Sequence, residues 1–151
     1  MQSSNAIRTI QLADAAATQA LGAGLATDLG AGAVLLLSGG LGAGKTCLVQ
    51  GLARGLGIEE PVTSPTFALA QHYRAVDGRA LVHLDLYRLE SPASADELFD
   101  QELEEADVLG ALMAVEWPER LSRPPAGAWR LALELAGEGR LAVLQPPPSA
   151  L

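Results

Sequence analysis

The chain has only one cysteine and no long apolar run among its 151 residues. That cysteine, Cys47, excludes a disulfide bond within the chain and is typical of proteins from a reducing compartment. The longest strongly apolar stretches, residues 33–37 and 112–115, are far shorter than the roughly 20 residues that a membrane-spanning helix requires. Residues 1–10 lack the basic region and apolar core of a secretory signal. We therefore expect a cytoplasmic protein without a membrane contact.

Basic residues are also scarce. Lysine and arginine total 10 against 18 acidic residues, and the net charge is −8. Proteins bind a nucleic-acid backbone through clustered basic side chains, so this balance argues against DNA binding and predicts that any link to RNA is indirect. The length and the hydrophobic content of 49% predict one globular domain over residues 1–145, followed by a loose tail over 146–151.

The only lysine, Lys45, lies in a glycine-rich segment. Residues 39–46 match the P-loop pattern G-x-x-x-x-G-K-[ST], in which backbone N–H groups at the start of a helix surround a phosphate. Lysine contacts the β- and γ-phosphates, and the threonine hydroxyl binds Mg²⁺. An ordinary glycine-rich turn is the alternative, but the pattern favours ATP and Mg²⁺ binding with ATP hydrolysis. The expected nucleotide-binding residues here are Gly39, Gly40, Leu41, Gly42, Ala43, Gly44, Lys45, Thr46 and Cys47.

The elements around this segment follow the order that a P-loop requires. Residues 33–38 are typical of a buried parallel strand, and Leu48, Leu52 and Leu56 then recur at helical spacing up to Gly57. The other predicted elements are a strand at 9–12, a helix capped by Asp14 that runs to Leu29, a hairpin of residues 66–76 and 79–89 around Asp77-Gly78, a helix from Ser91-Pro92 through Leu98, a strand at 112–115 and a hairpin of 129–135 and 140–145. This order predicts an α/β, P-loop NTPase-like three-layer sandwich with a mixed, mostly parallel sheet between helices.

Two carboxylates are candidates for the chemistry beside the phosphates. Glu116 follows a buried strand and is the candidate second Mg²⁺ ligand; an exposed strand-end glutamate is the alternative. Asp85 shares a strand face with His83 and is a candidate to orient water or support the metal; a surface pairing on a hairpin is the alternative. We assign Asp85, Glu116 and Lys45 to catalysis, and Thr46 and Glu116 to the metal.

Other residues leave several alternatives open. The spacing does not choose which arginine among Arg54, Arg88 and Arg120 contacts the γ-phosphate. Cys47 is either a thiol activated by a helix N-terminus or a small residue that fills space. The acidic stretch 96–107 is typical of a solvated helix face, and we assign it no ligand.

Four segments resemble the TsaE (YjeE) family of bacterial P-loop ATPases. They are residues 39–46, 62–67 (Val-Thr-Ser-Pro-Thr-Phe), 83–89 (His-Leu-Asp-Leu-Tyr-Arg-Leu) and 115–120 (Val-Glu-Trp-Pro-Glu-Arg). The resemblance implies that Thr66 belongs to a switch-like loop near the γ-phosphate and that Trp117 is a functional aromatic residue beside the nucleotide. It also implies that Thr46 and Glu116 bind Mg²⁺ and that Asp85 is needed for hydrolysis.

The resemblance further implies a partner and a pathway. The family acts in tRNA threonylcarbamoyladenosine biosynthesis with a TsaB–TsaD-like heterodimer, contacts tRNA only through these partners and does not transfer the threonylcarbamoyl group itself. Gly40, Cys47, Ala68, Gln71 and His72 depart from the usual family pattern. The alternatives are a small-molecule P-loop kinase and a nucleotide-dependent binding module in which hydrolysis is incidental.

Overall fold

The computed structural model describes residues 6–63 and 69–148. In these two ranges the chain forms seven β-strands, three α-helices and one 3₁₀ helix. The strands are β1 (Arg8–Leu12), β2 (Val34–Ser38), β3 (Ala70–Arg74), β4 (Ala80–Asp85), β5 (Leu112–Glu116), β6 (Trp129–Ala136) and β7 (Gly139–Gln145). The helices are α1 (Ala15–Leu29), α2 (Lys45–Gly55) and α3 (Pro92–Leu109), and the 3₁₀ helix is Pro118–Arg120.

The strands form one mixed sheet in the order β1-β7-β6-β2-β5-β4-β3. The four central strands, β6, β2, β5 and β4, run parallel to one another. The outer strands are antiparallel to their neighbours, because β7 follows β6 and β3 precedes β4 through hairpins, and β1 then pairs with β7. The predicted mixed sheet is confirmed, with its parallel part at the centre.

Two hydrophobic clusters cover the two faces of the sheet. On one face, Leu35 and Leu37 of β2 pack with Leu48 of α2. On the other face, Leu36 packs in the cluster that contains Phe99 of α3. Successive side chains of a strand point to opposite faces, so β2 contributes to both layers and its apolar run is continuous. The α/β three-layer architecture is confirmed.

Helices α1 and α2 approach each other closely where they carry glycine. A Cβ atom at Gly22 would lie 2.3 Å from the Leu48 carbonyl oxygen, and one at Gly51 would lie 2.2 Å from the Gln19 carbonyl oxygen. Real Cβ atoms do not approach an oxygen so closely, and only glycine allows this separation. The contact fixes the position of α2, and therefore of the loop that precedes it, against α1.

The predicted starts of two helices, at Asp14 and at Ser91, are confirmed, but one of these helices is longer than predicted. The Asp14 side chain accepts a hydrogen bond from the Ala17 N–H at 2.9 Å, and Ser91 caps α3. Helix α3 continues past the predicted end at Leu98 to Leu109 and stops at the left-handed Gly110. The reason is that Ala95, Phe99 and Ala106 continue the buried stripe. Most acidic residues of 96–107 face outward as expected, although Glu102 is buried and bonded to His72.

The hairpin of β3 and β4 is shorter than predicted. Strand β4 ends at Asp85 instead of continuing to Leu89, because the Asp85 carboxylate accepts a hydrogen bond from the Tyr87 N–H at 3.0 Å and turns the chain. Strand β3 covers residues 70–74, and part of the predicted strand, residues 66–68, lies outside the described residues. None of the helices in the two described ranges combines the length and apolar character needed to cross a bilayer.

Candidate phosphate-binding site

The candidate site lies where three neighbouring parallel strands end. Strands β2, β5 and β4 stop at Ser38, Glu116 and Asp85 on the same edge of the sheet, since parallel strands end on one side. Next to this edge is a cavity of about 590 Å³. Ligands of open α/β sheets bind in this position, beyond the carboxyl ends of the strands.

The candidate phosphate-binding loop, residues 39–46, joins β2 to α2. Gly39, Gly42 and Gly44 all have positive φ, and a Cβ atom at Gly39 would lie 2.5 Å from the Leu133 carbonyl oxygen. Gly44 is the N-cap of α2 and provides no side chain to the helix N-terminus. Gly44 therefore offers no side-chain acceptor to the N–H groups of the first helical turn, as is typical of the glycine before the lysine of a P-loop.

The ammonium group of Lys45 is held at the wall of the cavity. Lys45 is buried, and its Nζ donates a hydrogen bond to the Gly39 carbonyl oxygen at 2.7 Å. The same Nζ lies 4.1 Å from the centre of the Trp117 ring, within the range of a cation–π contact. Among the described residues no carboxylate forms an ion pair with Lys45, so its ammonium group can contact an anion in the cavity.

Trp117 has an uncommon backbone conformation. Its φ is 60°, and it is the only non-glycine residue with positive φ in the described ranges. Bulky residues rarely adopt this region, and strained residues cluster at functional sites. Its ring lies 4.8 Å from the Tyr87 ring, and the Arg120 guanidinium lies 5.9 Å from the Trp117 ring. The aromatic pair thus forms one side of the cavity.

The Glu116 carboxylate is buried and bonded to a histidine. Its Oε2 lies 2.6 Å from His83 Nε2, and both side chains are almost fully buried. Glu116 is therefore not an exposed strand-end glutamate. The other ring nitrogen of His83, Nδ1, has no hydrogen-bond partner among the described residues, so the bond to Glu116 is the one hydrogen bond that this imidazole makes there.

Asp85 lies directly across from Glu116 in the register of β4 and β5. Burial raises the pKa of the Asp85 carboxyl above its ordinary value of 3.8, and the nearby Glu116 carboxylate adds to the rise. The hydrogen bond from the Tyr87 N–H and the positive charge of Lys45 act in the opposite direction. Asp85 thus combines a half-buried position with access to the cavity.

The predicted site residues divide into three groups. Those that line the cavity are Leu41, Gly42, Gly44, Lys45, Thr46, Cys47, Asp85, Glu116 and Trp117. Gly39, Gly40 and Ala43 shape the loop without lining that cavity. Thr66 lies outside the described residues. The lining also includes residues that the sequence analysis did not assign to the site, namely Gln50, Leu69 and Tyr87.

The structure separates the three candidate arginines. Arg88 lines the cavity. Arg54 is exposed and instead donates a hydrogen bond to the side chain of Gln19 in α1 at 2.6 Å. Arg120 lies behind the aromatic residues, 5.7 Å from the Tyr87 ring. Of the three, Arg88 is therefore the one positioned to reach a group in the cavity.

The site fits Mg²⁺ bound together with phosphate. Thr46 and Glu116 both line the cavity. Within the described part of the chain, no three His, Cys, Asp or Glu side chains form a ready-made metal cage. Mg²⁺ is typically bound by one or two protein oxygens together with substrate phosphates and water, so a hydroxyl and a carboxylate at this position are the expected set.

A second cavity, of about 380 Å³, meets the first at Gly44 and Cys47. It lies between the start of α1 and the start of β7, and its lining includes Asp14, Thr18 and Arg140. The Cys47 thiol donates a hydrogen bond to the Ala15 carbonyl oxygen at 3.3 Å. Cys47 thus joins the first turn of α2 to α1 at the border of the two cavities.

Comparisons with known proteins identify a family model, similar sequences and a similar fold. The family model described as "Threonylcarbamoyl adenosine biosynthesis protein TsaE" matches residues 12–141. The chain is 44% identical to the tRNA threonylcarbamoyladenosine biosynthesis protein TsaE of Nostoc sp. over 131 residues, which are 86% of this chain and 80% of that protein. It is 47% identical to the Synechocystis sp. protein of the same name over 117 residues, covering 76% and 73%. The crystal structure of Bacillus subtilis YdiB is similar, with a TM-score of 0.72, 26% identity, and coverage of 95% of this chain and 87% of that one.

Proposed function

The chain belongs to the TsaE family, and we propose that it binds and hydrolyses ATP for tRNA threonylcarbamoyladenosine biosynthesis. In this proposal it acts on a TsaB–TsaD-like heterodimer in the cytoplasm and does not transfer the threonylcarbamoyl group itself. The observation that carries the ATPase proposal is one cavity lined by Lys45, Thr46, Asp85 and Glu116 at the uncapped start of α2.

Binding is the role of the loop and the first turn of α2. Backbone N–H groups and the Lys45 ammonium receive the phosphates, and the lysine exchanges its contact with the Gly39 carbonyl for phosphate oxygens. Thr46 and Glu116 would hold Mg²⁺, which when bound neutralises phosphate charge. Lys45 contacts the β- and γ-phosphates in the first cavity, so the nucleoside at the other end of ATP must lie elsewhere. The second cavity, which meets the first at Gly44 and Cys47, accommodates the nucleoside in this proposal.

Hydrolysis requires an oriented water and a stabilised negative charge. Asp85 and Glu116 face each other across β4 and β5, and either carboxylate can accept a hydrogen bond from a water in the cavity. His83 keeps Glu116 in place through the bond between Nε2 and Oε2. Arg88 lines the cavity and supplies positive charge at the terminal phosphate, as arginines do in other phosphoryl-transfer enzymes.

The acidic chain suits an indirect role at tRNA. Its net charge of −8 opposes binding to a phosphate backbone, which clustered basic side chains favour. A protein partner that carries the tRNA removes this difficulty. The family membership and the charge balance therefore support the same division of labour, in which this chain provides the nucleotide cycle and the partners bind the RNA.

The test combines a tagged chain, a purified TsaB–TsaD-like pair, tRNA and MgATP. We expect the pair to be retained on the tagged chain only with nucleotide, and multiple-turnover modification of tRNA to require hydrolysis. Asp85→Ala should retain the pair but support little more than one turnover. Full modification by Asp85→Ala would favour a binding module with incidental hydrolysis, and phosphate transfer to a small acceptor would favour a kinase. Failure to retain the pair under any condition would remove the proposed partner.

A further inference from the structure

An arginine on β7 holds the phosphate-binding loop from outside the first cavity. Arg140 Nε donates a hydrogen bond to the Ala43 carbonyl oxygen at 3.1 Å, and its Nη2 donates one to the Gly42 carbonyl oxygen at 3.0 Å. Its Nη1 donates to the Gly139 carbonyl oxygen at 3.0 Å. One planar guanidinium thus joins two consecutive carbonyls of the loop to the first residue of β7.

We propose that Arg140 is a positioning residue that holds the loop carbonyls away from the phosphates and the loop N–H groups toward them. This inference rests on the proposed nucleotide binding. The peptide bond between Ala43 and Gly44 is trans, so its C=O and N–H point in opposite directions. Because Arg140 binds the Ala43 oxygen, the Gly44 N–H faces away from Arg140. Rotation of this peptide would turn a carbonyl oxygen toward an anion.

The loop needs this external support because of its composition. Gly42 and Gly44 each have positive φ, and no side chain caps the helix at Gly44. Glycine loses more conformational entropy on ordering than any other residue. Within the loop, the Ala43 N–H donates to the Gly40 carbonyl oxygen at 3.2 Å. Two hydrogen bonds from a charged donor, each stronger than a neutral bond, therefore restrict a segment that is otherwise costly to order.

The support itself is rigid. Arg140 pairs with Leu12 of β1 and Leu135 of β6, so its backbone lies inside the sheet. A Cβ atom at Gly139 would lie 2.4 Å from the Leu12 carbonyl oxygen, which shows how tightly the start of β7 is packed. The side chain lies on the same strand face as Ala142, which is buried beneath α1 and α2.

The positive charge of Arg140 also favours the binding of an anion by the loop. Among the described residues, no carboxylate forms an ion pair with Arg140, and its hydrogen-bond acceptors are neutral carbonyls. The arginine guanidinium offers a planar set of donors with fixed spacing. A lysine would keep the charge but has no planar fork to bind two carbonyls at fixed spacing.

The experiment compares Arg140→Ala and Arg140→Lys with the wild type and with Arg130→Ala. Arg130 is an exposed arginine on the neighbouring strand β6 and lines a cavity that contains no loop residue. Hydrogen exchange of the amides of residues 40–46, measured without nucleotide, should be about tenfold faster in Arg140→Ala, with unchanged exchange in β4 and β5. Arg130→Ala should match the wild type.

Binding is then measured with ATP and with inorganic tripolyphosphate. Arg140 also lines the second cavity, and tripolyphosphate lacks the nucleoside proposed to occupy it. We expect Arg140→Ala to weaken binding of both ligands by a similar factor, about tenfold, as for the loss of charge-assisted hydrogen bonds. Arg140→Lys should recover only part of the affinity. Millimolar guanidinium should restore binding to Arg140→Ala, and sodium at equal ionic strength should not.

Each result has a definite meaning. If Arg140→Ala loses affinity for ATP but not for tripolyphosphate, Arg140 contacts the nucleoside and the inference is overturned. Faster exchange across the whole sheet, or a failure to fold that Arg140→Lys shares, would show a general structural role and also overturn it. Unchanged loop exchange and affinity in Arg140→Ala would have the same effect. If the wild type binds neither ligand, the proposed function fails, while the exchange data still test the contact between Arg140 and the loop.

Discussion

At the scale of single residues, the protonation of Asp85 depends on its position at the end of β4. Burial, together with the neighbouring Glu116 carboxylate, raises the pKa of Asp85, and the hydrogen bond from the Tyr87 N–H and the charges of His83 and Lys45 oppose the rise only in part. A raised pKa means that the protonated form persists to a higher pH than in an exposed aspartate. Because a proton acceptor must be ionised, this shift determines the pH at which Asp85 can act on water.

We expect ATP hydrolysis to increase with pH through a midpoint above 3.8, the ordinary pKa of aspartate. The ionised Asp85 carboxylate can accept a proton from water, and the protonated form cannot. Asp85→Asn removes this acceptor and should lower kcat by about 10²- to 10⁴-fold, the usual contribution of a general base. Nucleotide affinity should change little. Steady-state hydrolysis across the pH range and titration with a fluorescent ATP analogue measure the two effects separately.

Asp96→Asn is the matched control. Asp96 is a surface carboxylate of α3 whose pKa is lowered mainly by hydrogen bonds from Ser122, and it does not line the phosphate cavity. This variant should hydrolyse ATP like the wild type across the whole pH range. If Asp85→Asn keeps the wild-type rate and pH profile, the acceptor is another group, and Glu116 becomes the first candidate.

At the scale of elements, two glycines of α1 should respond in opposite ways to the same substitution. Gly22→Ala places a methyl group against Leu48 of α2 and should lower the free energy of unfolding by about 1–3 kcal/mol through overpacking. A methyl group at Gly24 would meet no atom of another element within 4 Å. Gly24→Ala should therefore raise the free energy of unfolding by about 0.5–1 kcal/mol, because alanine has a higher helix propensity than glycine. Urea unfolding of the two variants measures both changes.

The same pair tests whether helix packing positions the loop. Helix α2 begins at Lys45, so a shift of α2 by the added methyl at Gly22 should also weaken nucleotide binding. Gly24→Ala should bind nucleotide like the wild type. If Gly22→Ala and Gly24→Ala change the free energy of unfolding equally and in the same direction, the close approach of α1 and α2 at Gly22 is contradicted.

Local signals made several elements predictable. The helix that starts after Asp14 and the loop around Lys45 follow from caps and spacing within a few residues. The predicted end of α3 is wrong because its buried stripe, which includes Phe99, continues through a strongly acidic stretch. The hydrogen bond from Arg140 to the Ala43 carbonyl oxygen could not be predicted, because the two residues are 97 positions apart in the sequence and no local pattern connects them.

At the scale of the whole molecule, the sheet order creates the site. The sequence indicates that Glu116 follows a buried strand and that Asp85 lies within a predicted strand, but not that these strands are neighbours. In the sheet, β5 lies between β2 and β4, which brings Glu116 next to both the loop and Asp85. The bond between His83 and Glu116 likewise joins two strands. Pairing over long sequence separations is set by the packing of the complete fold.

This arrangement predicts that nucleotide stabilises the entire fold. The loop is attached to β2, α2 and, through Arg140, to β7, so the binding site exists only in the folded chain. A ligand that binds only the folded state at 100 times its Kd adds about 2.7 kcal/mol. For a domain of this size that corresponds to a rise in Tm of about 5–10 °C.

MgATP should therefore raise the Tm of the wild type by several degrees, and Lys45→Ala should abolish most of the rise. Removal of the buried ammonium eliminates the contact with the terminal phosphates and leaves the Gly39 carbonyl and the Trp117 ring without it. Arg8→Ala, on the edge strand β1, should retain the full rise because Arg8 is exposed and outside the cavity. Thermal unfolding with and without MgATP gives the answer. An equal rise in Lys45→Ala would mean that ATP binds elsewhere in the molecule.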